Sequence, residues 1–124
     1  MKKITLTCAH AIVKYLIAQK ILIDGKKEPL FPGVFGIFGH GNVACLGQAL
    51  EESQNELPTY RGHHEQNMAL TGIGYARGKR RQQIFVATSS VGPGATNMVT
   101  AAAVAMSNRL PILFLTVDTY ANRM

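Results

Sequence analysis

A chain of 124 residues with 47% hydrophobic and 16% charged side chains can bury one modest core, which excludes both a disordered tail and a pair of domains. Thirteen Lys and Arg against seven Asp and Glu give a formal net charge of +6, spread along the chain and dense only at Lys79-Arg80-Arg81. Cys8 and Cys45 have no metal-type spacing and fit a reduced, cytoplasmic setting, and no apolar stretch is long enough to cross a bilayer.

Lys2-Lys3 before an apolar run faintly imitates a secretion leader, but the run is short and Lys14 interrupts it. Thr7 predicts the N-cap of a first helix, with Ile12, Val13, Leu16, Ile17 and Ile21 as its buried stripe. Asp24-Gly25 breaks that helix, and residues 26–32 read as a polar insertion ending in a turn. An apolar run over 34–38 predicts a strand buried on both faces. Gly39-His40-Gly41-Asn42 then predicts a tight turn, followed by a helix over 43–52 with Val43, Leu46 and Leu50 inward.

A shorter strand is expected over 57–60, and after it comes Arg61-Gly62-His63-His64-Glu65, the opening of the next helix. Glu65 is the lone carboxylate of that helix's first turn, where the dipole favours it. Ala69, Gly72 and Ala76 share one face. Helical glycine costs about 1 kcal/mol relative to alanine. Gly72 and Gly74 therefore predict a close approach by another backbone or a ligand. The basic run that follows reads as a solvated C-terminal turn, since the interleaved aromatics of a nucleic-acid surface are missing.

Residues 84–88 predict a third strand, Gly92-Pro93-Gly94 a turn, 95–108 a long alanine-rich helix, and 112–115 a fourth strand after Pro111. Strand and helix alternating in this way predict an α/β fold, an open parallel sheet with helices on both faces. Glycine turns follow the first and third strands, at the sheet end where such folds hold ligands. Sheets of this kind often have five or six strands, so four imply a truncated domain.

Three features could carry chemistry. Gly39-x-Gly41-x-x-Ala44 formally satisfies a dinucleotide fingerprint, but Tyr60-Arg61 stands where its acidic partner belongs. Thr88 to Asn97 could turn backbone amides toward a ligand, though Ser89 and Ser90 lack the context of a nucleophile elbow. His10, His40, His63 and His64 show no zinc spacing, so no metal site is expected within the chain.

Four segments, in order and at matching distances, resemble the pyrimidine-binding domain of thiamine diphosphate enzymes of the acetolactate synthase type. They are His64-Glu65-Gln66, Gly74-Tyr75-Ala76-Arg77, Gly92-Pro93-Gly94-Ala95-Thr96-Asn97, and the stretch from Pro111 to Thr116. The resemblance covers roughly residues 6–120. Within the family the chain looks most like a branch that hydrolyses a carbon–carbon bond of a cyclic polyol diketone in inositol catabolism. The insertion at 23–32, Phe38-Gly39-His40-Gly41-Asn42-Val43 and the lengthened Ser89-Ser90-Val91 point there, whereas synthases run Thr-Ser straight into Gly-Pro-Gly.

The resemblance implies that Glu65 is the catalytic and cofactor-binding acid, its carboxyl hydrogen-bonded to the aminopyrimidine of thiamine diphosphate. It also implies that His40, Pro93 and Asn97 line the pyrimidine pocket. Asp118 stands where synthases carry a glutamine. The Gly-Asp-Gly and later Asn that hold Mg²⁺ and the diphosphate are missing, so 1–124 reads as a partial N-terminal domain without its central and diphosphate-binding domains. A homodimer or homotetramer and a small cyclic polyol diketone are the implied partners, with neither nucleic acid nor membrane. The alternatives are an acetolactate synthase-like decarboxylase or ligase, a non-catalytic Rossmann-like module, and a fragment with only an interaction role.

Overall fold

The computed structural model describes residues 3–118 and 122. The Lys2 half of the leader-like stretch and the last two residues lie outside it. Thr7 caps helix α1 (Cys8–Ala18) as predicted, its hydroxyl oxygen accepting from the backbone N–H of His10 at 3.2 Å. The helix buries Val13 and Leu16.

Ile21 is not part of that helix. It lies on strand β1 (Lys20–Ile23), which pairs antiparallel with β2 (Lys26–Pro29). The predicted polar insertion is thus largely a hairpin. Asp24 and Gly25 both take positive φ, 49° and 78°, as a two-residue turn matched to strand twist requires. Ile21-Leu22-Ile23 suits either a helix or a strand, and the Asp-Gly turn decides between them.

Four strands form the parallel sheet: β3 (Val34–Gly36), β4 (Thr59–Arg61), β5 (Val86–Thr88) and β6 (Leu113–Leu115), in the order β4-β3-β5-β6. Val34 stands level with Thr59 on one side and Val86 on the other, and Val86 with Leu113. Each strand is shorter than expected; three lie within their predicted runs, and β4 is shifted to Thr59–Arg61 from the expected 57–60. Alternation divides their side chains between two cores. Val34, Val86, Leu113 and Leu115 meet Val13, Leu16, Leu46, Ala49 and Leu50 on one face. Ala87 and Phe114 meet Ala69, Ile73, Met98, Ala101 and Ala105 on the other. Helices therefore cover both faces, as an all-parallel sheet demands.

The helix after β3 departs from expectation. The glycine turn is itself helical, α2 (Gly39–Asn42), and runs through a π-helical stretch (Val43–Gly47) into α3 (Gln48–Glu52). The wider turn rotates the start of the helix, so Val43 is 57% exposed and not inward, whereas Leu46 and Leu50 keep their buried places. α4 (Glu65–Gly78) is the expected helix. At Gly72 a Cβ would sit 3.1 Å from Ile112 and 3.2 Å from Phe85, so side chains, and not the expected backbone or ligand, come close there. Gly74 has open space, with nothing within 4 Å of its Cβ position among the described residues. The alanine-rich helix is two: α5 (Pro93–Thr96) and α6 (Val99–Asn108). Arg109, at φ 52°, closes α6 with Leu110 N–H bonded to Ala105 O at 2.9 Å.

An aromatic group, Phe35, Tyr60, Phe85 and Tyr75, packs with ring centroids from 4.7 to 6.0 Å apart. Tyr75 donates to Gln83 at 3.0 Å, and Gln83 donates to Pro29 O at 2.8 Å, tying α4 to the hairpin. Burial, with the nearby Tyr60, pushes the Tyr75 hydroxyl above its ordinary pKa. Across the other face His10 bonds Glu52 at 2.9 Å and joins α1 to α3.

Two outcomes test this packing. Leu50 is 1% exposed in the first core, so Leu50→Ala should cost about 2–5 kcal/mol in urea unfolding followed by circular dichroism. The hydrogen bond from His10, then that from Gln48, holds the Glu52 carboxyl below its ordinary 4.5. A depressed carboxylate adds stability above its unfolded pKa and loses it as pH falls through the lower, folded value. His10→Ala should therefore move the Glu52 midpoint upward in a carbon-13 NMR titration, and an unmoved midpoint would refute the coupling.

Candidate functional site

The strand order sets the place of the site. From β3 the chain turns toward β4 at one edge, and from β5 toward β6 at the other, so connections leave the carboxyl ends of the neighbours β3 and β5 in opposite directions. A crevice opens at such a switch point. The turn after β3, the turn after β5 and the start of α4 all reach it.

Local sequence delivers Glu65 there. After Arg61 ends β4, Gly62 passes directly over Met68, where a Cβ would collide with the methionine Cγ and Sδ. His64 is extended, and Met68 N–H bonds His64 O at 3.1 Å, so the helix begins at Glu65. The side chain is consequently drawn inward: Glu65 is only 9% exposed, and it is the buried carboxylate among the described residues.

Burial of an ionisable group needs a partner. Asn97, at the junction of α5 and α6, donates its Nδ2–H to Glu65 Oε2 at 3.1 Å. Glu65 Oε1 makes no hydrogen bond among the described residues. A Cβ on Gly94 would lie 2.9 Å from that oxygen, so glycine there keeps the space beside Oε1 clear. Gly92, at φ 67° and ψ −117°, takes a backbone conformation open to glycine and starts α5. Thr88 Oγ1 anchors the base of this turn on Leu115 O at 2.8 Å, and Ile37 N–H meets Thr88 O at 3.3 Å.

Of the residues singled out from sequence, the fold joins Glu65 and Asn97 directly. Pro93 is exposed at the first position of α5, one residue from Gly94. His40 is exposed in α2, one residue past Gly39, whose Cβ would lie 2.5 Å from Ser90 Cβ. Asp118 is exposed three residues beyond β6. His63 and His64 are exposed, and no group of three His, Cys, Asp or Glu among the described residues could hold a metal ion. Cys8 and Cys45 are free and exposed. No helix among the described residues is long and apolar enough to cross a membrane.

Two features emerged only in three dimensions. Gly39, φ 58°, serves the contact with Ser90, while Gly41 faces open space, so the glycine pair does not act as a dinucleotide loop needs. Nor does the order β4-β3-β5-β6 match a Rossmann sheet, whose third strand lies beyond the second. Ser89 is fully buried and its Oγ has no partner among the described residues, a detail that no sequence pattern discloses.

A buried carboxyl with one oxygen anchored and one open, beside a glycine that leaves room, fits a ring nitrogen that shares a proton. The chain matches the family described as "Thiamine pyrophosphate enzyme, N-terminal TPP binding domain" over residues 7–123, and it belongs to that family. It is also similar to proteins named 3D-(3,5/4)-trihydroxycyclohexane-1,2-dione hydrolase. Identity is 54% to that of Geobacillus thermodenitrificans over 99% of this chain, 50% to that of Listeria monocytogenes over 98%, and 50% to that of Clostridium tetani over 99%. The chain spans 19% of the length of each of these relatives.

Removing the anchor tests the geometry. Asn97→Ala leaves Oε2 buried without its donor and should cost about 1–3 kcal/mol in thermal or urea unfolding. A stability equal to that of the unmodified protein would mean that the amide does not hold the carboxyl.

Proposed function

We propose that this chain is the N-terminal, pyrimidine-binding part of a thiamine diphosphate-dependent hydrolase that opens a trihydroxylated cyclohexane-1,2-dione. The observation that carries the reading is the Glu65 carboxyl, buried at the switch point, held at Oε2 and open at Oε1. Membership of the thiamine pyrophosphate enzyme family supports the cofactor. Identity of about half to hydrolases of that name supports the substrate.

In this reading Glu65 would hold the aminopyrimidine part of the cofactor, its open Oε1 able to give or take a proton as a positioned acid–base group does. Asn97 keeps the carboxyl turned toward the ring, and the Pro93-Gly94 turn and His40 border the ring's place. When bound, thiamine diphosphate supplies a carbon nucleophile for the diketone and a sink for the electrons of the bond that breaks. One water is added overall, and the ring opens to 5-deoxy-glucuronate.

The same reading assigns Mg²⁺, the diphosphate and much of the substrate site to a central and a diphosphate-binding domain beyond residues 1–124. It also implies a homo-oligomer, in which another subunit completes the site, and a cytoplasmic setting for inositol breakdown. Asp118, past β6, takes the place that a glutamine holds in synthases.

Two assays of the intact gene product test this. Incubated with the cyclic diketone, it should release the ring-opened acid, and incubated with pyruvate it should form no acetolactate. Condensation of pyruvate without ring opening would instead favour a synthase. Glu65→Gln should lower kcat by about 10²–10⁴-fold with an unchanged circular dichroism spectrum. Full turnover in that variant would overturn the assignment.

A further inference from the structure

Ser90 stands between two glycines of the site. Its Cβ lies 2.5 Å from where a Gly39 Cβ would be, and its Oγ occupies the place that a Gly94 Cβ would enter. The same Gly94 position is 2.9 Å from Glu65 Oε1. Ser90 is half-buried, and its hydroxyl makes no hydrogen bond among the described residues. A side chain so tightly confined and without a polar partner acts through its volume.

Its base is fixed. Two residues earlier, Thr88 is fully buried and bonded through Oγ1 to Leu115 O at 2.8 Å, and Thr88 O accepts from Ile37 N–H at 3.3 Å. The turn after β3 meets Ser90 through Gly39, which takes a left-handed conformation that glycine adopts without cost. Close-packed interiors transmit displacements of this size with little loss.

We propose that Ser90 is a positioning residue: lodged between Gly39 and Gly94, its hydroxyl sets the gap between the first turn of α5 and the Glu65 carboxyl, and so the room left at Oε1. The inference rests on the cofactor reading above and adds to it a residue outside the pair that the Glu65–Asn97 hydrogen bond joins. The turn after β3 thereby reaches the acid through a steric contact.

A Gly94 Cβ would clash with two atoms, Glu65 Oε1 and, more closely, Ser90 Oγ, and Ser90→Ala removes the Ser90 Oγ. Without that oxygen, the nearest atom of residue 90 to a Gly94 Cβ is Ser90 Cβ at 3.5 Å, an ordinary contact. Thiamine diphosphate affinity of the intact gene product, with magnesium present, would be measured by titration calorimetry for Ser90→Ala, Gly94→Ala and the double variant, with Tm recorded for each. Gly94→Ala should weaken binding about tenfold, a coupling within the range found for residues in contact. Combining it with Ser90→Ala should recover about threefold of that loss, since the contact with Glu65 Oε1 remains.

Weakening in the double variant equal to the product of the single effects would overturn the proposal. So would unchanged affinity in both single variants, or a recovery of Tm without a recovery of affinity, which would assign Ser90 to packing alone. Failure of the unmodified protein to bind thiamine diphosphate would show before any substitution was made, and would overturn the functional reading and this inference with it.

Discussion

A carboxylate out of water must be held, and the way Glu65 is held organises this chain. Its burial is imposed by the backbone: Gly62 lies against Met68, the helix starts late, and the first side chain of α4 falls inward. One amide, from Asn97, offsets the loss of water at Oε2. A neutral hydrogen bond contributes about 0.5–1.5 kcal/mol net, and one to a charged group about 1.5–3 kcal/mol. That is enough to orient a carboxyl, and no second donor among the described residues meets Oε1. In the proposed reading the open oxygen is the chemical resource of the site.

The sheet supplies the rest. Because β5 pairs with β3 and not with β4, the turns after β3 and β5 stand side by side, and α4 enters beside them. Residues from positions 39, 65, 90, 94 and 97 thus gather from three connections. The two cores on either face hold these connections in place. The small residues of α4 and α6, Ala69, Ala76, Ala101 and Ala105, let those helices lie close on the sheet and on each other. Packing and site are consequently coupled through the same helix, since Glu65 begins the element whose next turns carry Ala69 and Ile73 into the core.

How much of this was legible in the sequence depended on what decided each feature. The parallel strands could be read because Val34, Val86 and Leu113 lie in short apolar runs broken by glycine and proline, signals that depend on neighbours in the chain. Glu65 and Asn97 were both singled out, one as a lone first-turn acid and both through a family resemblance. Their hydrogen bond joins residues 32 positions apart, a separation that no periodicity reports. The hairpin was missed because Ile21 to Ile23 suits two periods at once, although Asp24-Gly25 held the clue. Val43 was placed inward because a regular helix was assumed, and the π-helical stretch depends on packing that lies outside the local sequence. Gly39 invited a nucleotide reading, when its real constraint is Ser90, met only across the sheet.

The central claim is that Glu65 Oε1 is open for a ring nitrogen while Asn97 keeps Oε2. A crystal structure of the intact gene product with thiamine diphosphate tests it most directly. The account predicts the aminopyrimidine nitrogen within hydrogen-bond distance of Oε1, with the Asn97 contact preserved and Gly94 against the ring. Cofactor density elsewhere on the molecule, with the Glu65 side chain turned into bulk water, would contradict it.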